Sequence, residues 1–258
     1  MTPAESAPIL ILGGTSEATE LARDLTTRGH RVVMSFAGRT NPSDLPQVAK
    51  RVGGFDGVQG LMNELRGGGY ASLVDATHPF ATHMARNAAV AAGLAGVPHL
   101  RIVRPPWEQE PGSTWYEVDG FEQAAHRLTE LESRRAFLSI GSGHVDAFAG
   151  VRGVELVLRS IEAPSSMPPK NVTVVLARGP FTVDAELGLF RQHRIDTLVT
   201  RNSGGRATEA KLEAARRLDI PVIMVRRPKQ PPGDQVATAA EALAWVEARS
   251  RGSQGSSG

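Results

Sequence analysis

Short β-branched runs alternate with helical patterns along almost the whole of this 258-residue chain, and that alternation limits the fold more than any single motif. In the first part, strand patterns at 9–12, 31–35, 51–52, 72–75 and 99–103 are separated by helical patterns near 16–28, 58–66 and 81–92. Such a βαβ series implies a parallel sheet with right-handed crossovers. A stretch reading Arg104-Pro105-Pro106-Trp107-Glu108-Gln109-Glu110-Pro111-Gly112 interrupts it and marks a domain crossing. The alternation then resumes, with strands at 114–118, 136–140, 155–159, 172–177, 197–200 and 222–225 and helices near 121–131, 145–149, 183–193, 208–218 and 237–248. The expectation is an α/β fold of two Rossmann-like parallel-sheet domains, residues 1–104 and 105–250, with an interdomain cleft as the ligand site. An exchange of a terminal strand between the halves stays open. The Gly/Ser/Gln-rich residues 251–258 read as a disordered tail.

Composition removes several classes of function. With no cysteine there is no disulfide, thiolate zinc site or cysteine nucleophile. Aromatics make up only 5%, so the core is expected to consist of Val, Leu, Ile and Ala. A net charge of +2, without a run of basic residues, gives no reason to expect a nucleic-acid partner. No apolar stretch approaches the roughly 20 residues of a membrane span. The first strand pattern begins too soon after Met1 for a signal peptide. A soluble cytoplasmic protein without a metal site is expected, with a monomer as the default state.

Directly after the first strand the chain reads Gly13-Gly14-Thr15-Ser16-Glu17-Ala18. Strand, glycine turn and helix together aim backbone N–H groups and a helix N-terminus at a phosphate. Gly13-x-Thr15-x-x-Ala18 has the spacing of the dinucleotide fingerprint, with Thr15 in place of its second glycine. Gly13, Gly14, Thr15, Ser16 and Glu17 are therefore candidate cofactor contacts, Thr15 and Ser16 as hydroxyl donors. The bland alternative is a tight turn that binds nothing.

An NAD site carries an acidic residue near the end of its second strand for the ribose 2′-hydroxyl. Here no acid lies between Asp24 and Asp44, and Ser35 and Arg39 stand where a 2′-phosphate needs a hydroxyl and a guanidinium. The expected cofactor is NADPH rather than NADH. The fourth strand runs into Asp75-Ala76-Thr77-His78-Pro79-Phe80-Ala81, with Pro79 expected in the first turn of the next helix. Thr77 and His78 either line the nicotinamide end or are a helix cap and a loop residue. There is no Tyr-x-x-x-Lys dyad, since Tyr70 is followed by Val74 and Tyr116 by Gly120 at the lysine position. Nucleophile elbows, Walker lysines and HExxH pairs are also missing, and hydride transfer needs none of them.

The second half has two dense polar loops, Ala177-Arg178-Gly179-Pro180-Phe181-Thr182 and Thr200-Arg201-Asn202-Ser203-Gly204-Gly205, the latter followed by Lys211. Each joins a strand to a helix, so in a parallel sheet both open on one edge. Arg178, Arg201 and Lys211 with loop N–H groups would form an anion-receiving surface; the alternative is two loops that only cap helices.

These segments, in this order, resemble the precorrin-6A reductase family: Gly13 to Ala18, Asp75 to Ala81, Arg178-Gly179-Pro180-Phe181, Thr200 to Gly205 with Lys211, and Ile220-Pro221-Val222-Ile223-Met224-Val225 with Arg227-Pro228. The resemblance extends from about residue 8 to 248. It implies NADPH-dependent reduction of a carbon–carbon double bond in precorrin-6A to give precorrin-6B, in cobalamin biosynthesis, with a metal-free or a cobalt-bearing substrate. It also implies that Arg178, Gly179, Arg201 and Lys211 meet a polycarboxylate macrocycle while Asn202, Ser203 and Gly204 shape the loop near the reducible bond. It names no proton donor and no role for His144. Two other readings stay open: a non-catalytic NADPH sensor, which needs no second constellation, and another Rossmann-type NADPH reductase or epimerase, which the missing Tyr/Lys dyad disfavours.

Overall fold

In β1 (Ile9–Leu12), Ile9 and Ile11 face one layer while Leu10 and Leu12 face the other. Both faces are apolar because helices cover both sides of a parallel sheet. The computed structural model describes residues 7–36, 45, 47–164 and 167–254. It divides into a first unit, Met1–Arg104 with Lys229–Gly258, and a second, Pro105–Pro228.

The first unit continues with α1 (Ser16–Thr27), β2 (Val32–Phe36), β3 (Ala49–Val52), α2 (Gly57–Gly67), β4 (Ser72–Asp75), α3 (Thr82–Ala95) and β5 (His99–Ile102). Leu61 and Leu65 of α2 and Ala88, Ala91 and Ala92 of α3 pack on the Leu10 face, whereas Leu21, Ala22 and Leu25 of α1 pack on the Ile11 face. The second unit contains β6 (Trp115–Val118), α4 (Phe121–Glu130), β7 (Arg135–Ser139), β8 (Glu155–Ser160), β9 (Val172–Leu176), α5 (Val183–His193), β10 (Thr197–Arg201), α6 (Ala210–Arg217) and β11 (Val222–Val225). Its parallel sheet has the order β6-β11-β10-β7-β8-β9. The helical pattern near 145–149 takes the form of a 3-10 helix, Ser142–Phe148. Phe137, Leu198, Val222 and Met224 pack with Phe190 of α5 and Ala214 and Ala215 of α6.

After Pro228 the chain returns to the first unit. β12 (Asp234–Val236) pairs in parallel with β5 and completes the order β12-β5-β4-β1-β2-β3. The closing helix α7 (Ala239–Gln254) adds Ala239, Ala242, Leu243 and Val246 to the core that α1 occupies. The expected second domain, 105–250, is thereby corrected to 105–228. Local patterning specifies a strand or a helix but not the sheet it joins, and β12 is a three-residue edge strand without an apolar run. The helix also takes in 251–254 of the expected tail, and 255–258 lie outside the described residues. Among the described residues no helix is long and apolar enough to cross a membrane.

Truncation after Pro228 is expected to leave one core open and β5 with a bare edge. Limited proteolysis should then cut readily within 8–102, and an unchanged digestion pattern there would show that the returning segment is dispensable.

Candidate functional site

In the first unit the chain runs from β1 outward to β2 and β3, then crosses back to β4 and β5. The carboxyl ends of β1 and β4 therefore flank the topological switch point, where open α/β sheets bind ligands. A Cβ on Gly13 would lie 2.8 Å from the ring of buried Phe36, so glycine lets the turn settle against β2. Gly14 has φ +120° with nothing within 4 Å of where its Cβ would be, and is exposed. Thr15 caps α1 by accepting the Ala18 N–H at 3.2 Å, and its own hydroxyl donates to the Ala76 carbonyl at 2.7 Å. That donor is committed to the end of β4, which corrects the expectation of a Thr15 hydroxyl offered to a phosphate. The N–H groups of Ser16 and Glu17 in the first turn have no acceptor within the helix, as at any helix start.

Beside this turn lies a small pocket lined by Thr15, Glu17, Thr77, Pro79, Ile102 and Arg104. Arg104 Nη1 donates to Glu17 Oε2 at 2.8 Å across it. The far wall rests on Asp75, fully buried, whose Oδ1 accepts from the Thr77 N–H at 3.0 Å and from the Thr77 hydroxyl at 2.7 Å. Asp75 Oδ2 is paired with Arg101 Nη1. Arg101 Nε donates to Gln230 Oε1 at 3.1 Å, and Gln230 Nε2 donates to the Pro79 carbonyl at 3.2 Å. Pro79 thus lies in a turn ahead of α3, closed by the Ala81 N–H donating to the His78 carbonyl at 2.7 Å, and not in the first helical turn as expected; the network fixes this turn before the helix begins at Thr82. His78 Nδ1 accepts the Phe80 N–H at 3.2 Å, so the neutral ring carries its proton at Nε2. Ser35 is buried at the end of β2, and its carbonyl accepts the Gly13 N–H at 2.9 Å. Arg39 lies outside the described residues.

The second unit brings the two polar loops together at the carboxyl edge of its sheet. The Phe181 N–H donates to the Ala207 carbonyl at 3.3 Å, and a Cβ on Gly179 would lie 3.2 Å from the same oxygen. Arg178 is exposed on this junction. Beneath it a buried Arg159–Glu186 pair supports the ring of Phe181, 3.8 Å from the guanidinium carbon. Arg201 ends β10 beside Gly141, at the switch point between β7 and β10. His144 stacks on Phe121 with centroids 4.1 Å apart, and its pKa is lowered by burial and by the charge of Arg201.

The remaining candidates face inward. Asn202 accepts the Trp107 N–H at 2.8 Å and donates to the Trp107 carbonyl at 3.0 Å. Lys211 is 1% exposed, with Nζ donating to the Thr208 carbonyl at 2.5 Å and lying 4.3 Å from the centre of the Trp107 ring. Both hold the 105–107 segment, which corrects the picture of Lys211 as a surface cation. Ser203 is buried and its N–H donates to the Arg201 carbonyl at 2.7 Å. Gly204 has φ +61°, and a Cβ there would lie 2.0 Å from the Pro105 carbonyl. Arg227 fastens the same corner through Asn202 O at 2.7 Å and Pro105 O at 3.0 Å. Among the described residues no group of three or more His, Cys, Asp or Glu could hold a metal ion.

The family model described as precorrin-6x reductase CbiJ/CobK matches residues 8–247. The chain belongs to the precorrin-6x reductase family. It is an oxidoreductase of cobalamin biosynthesis. A relative named precorrin-6A reductase from Rhodococcus erythropolis is 47% identical over 92% of this chain and 96% of its own. One of the same name from Rhodobacter capsulatus is 38% identical over 92% and 95%. A Priestia megaterium protein named cobalt-precorrin-6A reductase is 28% identical over 91% and 96%. The solved structure titled CobK precorrin-6A reductase has a TM-score of 0.89 at 38% identity, covering 94% of this chain and 97% of that one.

The reductase residues at the first switch point fit an anionic dinucleotide. Gly14 leaves the approach to the turn open, the α1 N-terminus follows it directly, and Arg104 adds a guanidinium to the neighbouring pocket. Arg104 is absent from the sequence-derived candidates, where it opens the linker. Its signal was position: it follows a predicted strand, and ligands gather beyond strand carboxyl ends.

His144 and His99 both have lowered pKa values, mainly from burial. The folded reductase therefore holds fewer protons than the unfolded chain just below the ordinary imidazole value of about 6.5. Stability from this source is fully present above that value and is lost as pH falls through it. Urea midpoints measured between pH 7.5 and 5.5 should fall toward the acid side. The His99→Gln/His144→Gln variant should show a flatter slope, and a parallel slope would assign the pH dependence to other groups.

Proposed function

We propose that this chain uses NADPH to reduce a carbon–carbon double bond of metal-free precorrin-6A, giving precorrin-6B. The observation that carries the reading is the end-to-end likeness to proteins named precorrin-6A reductase, which exceeds the likeness to those named for the cobalt form.

NADPH, when bound, would supply the hydride for one carbon of the double bond, and the other carbon takes a proton from solvent. The chain's own part is to bind and orient. Gly13, Gly14, Ser16 and Glu17 form the approach to the α1 N-terminus, and Thr15 fixes that turn to β4. Ser35 and Arg39 receive the 2′-phosphate, a role supported by the acid-free end of the second strand. Thr77 and His78 edge the nicotinamide end, Thr77 held by Asp75 and His78 presenting a proton at Nε2. In the second unit Arg178 and Arg201 take macrocycle carboxylates as charge-assisted pairs. Gly179 permits the approach of the two loops, Ser203 bonds the Arg201 carbonyl, and Asn202, Gly204 and Lys211 hold the 105–107 segment against the loop that follows Arg201.

Purified protein mixed anaerobically with NADPH and precorrin-6A should consume one NADPH per macrocycle, followed together by cofactor absorbance and the macrocycle spectrum. No stoichiometric oxidation with an active substrate preparation would sink the proposal. Arg201→Ala should weaken macrocycle binding about tenfold or more, the scale of one lost charge-assisted bond, and leave NADPH binding nearly intact. Equal loss of both would mean that Arg201 supports the fold instead. Arg39→Ala should erase the preference for NADPH over NADH, and an unchanged preference would remove Arg39 from the 2′-phosphate.

A further inference from the structure

The dinucleotide fingerprint contains no ion pair, yet one crosses the mouth of the glycine turn here. Glu17 is the second residue of α1, and Arg104 follows β5. Glu17 Oε2 accepts from Arg104 Nη1 at 2.8 Å and from the Ser16 hydroxyl at 3.2 Å. The two side chains are only 17% and 14% exposed, and both line the pocket beside the turn. A carboxylate therefore sits at a helix N-terminus in a sheltered pocket, held by a guanidinium and a hydroxyl. Those are the donors a phosphate oxygen would use at the same place.

Resting on the NADPH reading, we propose that Glu17 is an internal stand-in for the cofactor pyrophosphate and that Arg104 is the pyrophosphate-binding residue. In the free protein Glu17 keeps Arg104 turned toward the pocket and engages the Ser16 hydroxyl at the helix start. When a dinucleotide enters, its pyrophosphate takes both donors and the Glu17 carboxylate gives them up. The ion pair thus preorganises the guanidinium and also competes with the ligand. Arg104 contributes affinity, while Glu17 subtracts some of it in return for a site already in its binding conformation. The fingerprint's second glycine is replaced by Thr15, whose hydroxyl is turned to Ala76, so the added guanidinium supplies a contact the glycine turn does not.

The test is equilibrium titration of the free protein with NADPH and with NADH, read by nucleotide fluorescence, at two salt concentrations. Glu17→Gln keeps the shape and removes the competing charge. It should tighten both nucleotides about two- to fivefold, the scale of one modest ion pair. Arg104→Gln should weaken both about tenfold or more and flatten the salt dependence, with Arg104→Lys between it and the wild type because an ammonium lacks the fork. Melting temperatures confirm that each variant is folded, and the isosteric Glu17→Gln arm stands by itself if an Arg104 variant is not.

Weaker binding by Glu17→Gln would overturn the competition and make Glu17 a direct cofactor contact. An Arg104 effect confined to NADPH would move that guanidinium to the 2′-phosphate and overturn the assignment. Wild-type protein that binds neither nucleotide would overturn the NADPH reading along with this one, whereas tight wild-type binding unchanged in all the variants would overturn this inference alone.

Discussion

The buried pair of Asp75 and Arg101 is the interaction on which the first unit's site depends. Taking two charges out of water costs several kcal/mol per ion, and their attraction offsets this only if the remaining lone pairs and protons are satisfied. Asp75 meets that condition on its own loop, because Thr77 gives it both a backbone and a hydroxyl donor. Arg101 meets part of it on the returning chain, through Gln230. The requirement to satisfy one carboxylate therefore ties together β4, β5, the 77–79 segment and the residues just before β12. It explains why the 77–80 segment is held in a fixed turn ahead of α3. It also explains why the chain's late return matters to the site and not only to the core.

Legibility in the sequence followed how local each cause is. β1 and β4 were readable to the residue because four consecutive apolar or aliphatic-flanked positions between glycine and polar breaks leave little choice. The α1 start was readable for the same reason, since a Thr N-cap and the N–H it accepts lie within three residues. β12 was not, because Asp-Gln-Val is a strand only through its pairing with β5. Nor could the helical pattern of α7 say which sheet it covers. At the site, the Gly13-Gly14 turn is marked by its own glycines and Thr77 meets Asp75 two residues away, so local pattern points to them. Arg104 and Gln230 act through partners 87 and 129 residues away, and no local pattern encodes such a pair.

The same distinction separates the cations of the second unit. By type and spacing Arg178, Arg201 and Lys211 looked equivalent, a cluster of positive charge after two strands. Their surroundings divide them. Lys211 is enclosed under Trp107, where a flexible stem and three donors let one ammonium cap Thr208 and sit against an aromatic face. Arg178 is exposed, and Arg201 is partly so at the switch point. Asn202 belongs with Lys211, because its amide is used in both directions by the Trp107 backbone. Charge count alone thus does not separate these cations, and Lys211 with Asn202 anchors the 105–107 segment beside Gly204, a position that only glycine fits.

The glycine turn itself shows why an imperfect fingerprint need not be a lost one. The second glycine of the usual motif keeps side-chain atoms away from a pyrophosphate. Thr15 reaches the same end by pointing its side chain elsewhere, since a hydroxyl bonded to both Ala76 O and Ala18 N has no freedom to swing into the approach. The threonine then does what glycine cannot: it caps α1 and joins the ends of β1 and β4. Rigidity at that point reduces the ordering a bound phosphate must impose. The substitution therefore exchanges an open turn for a stitched one and leaves Gly14 as its exposed glycine, with open space where a side chain would stand.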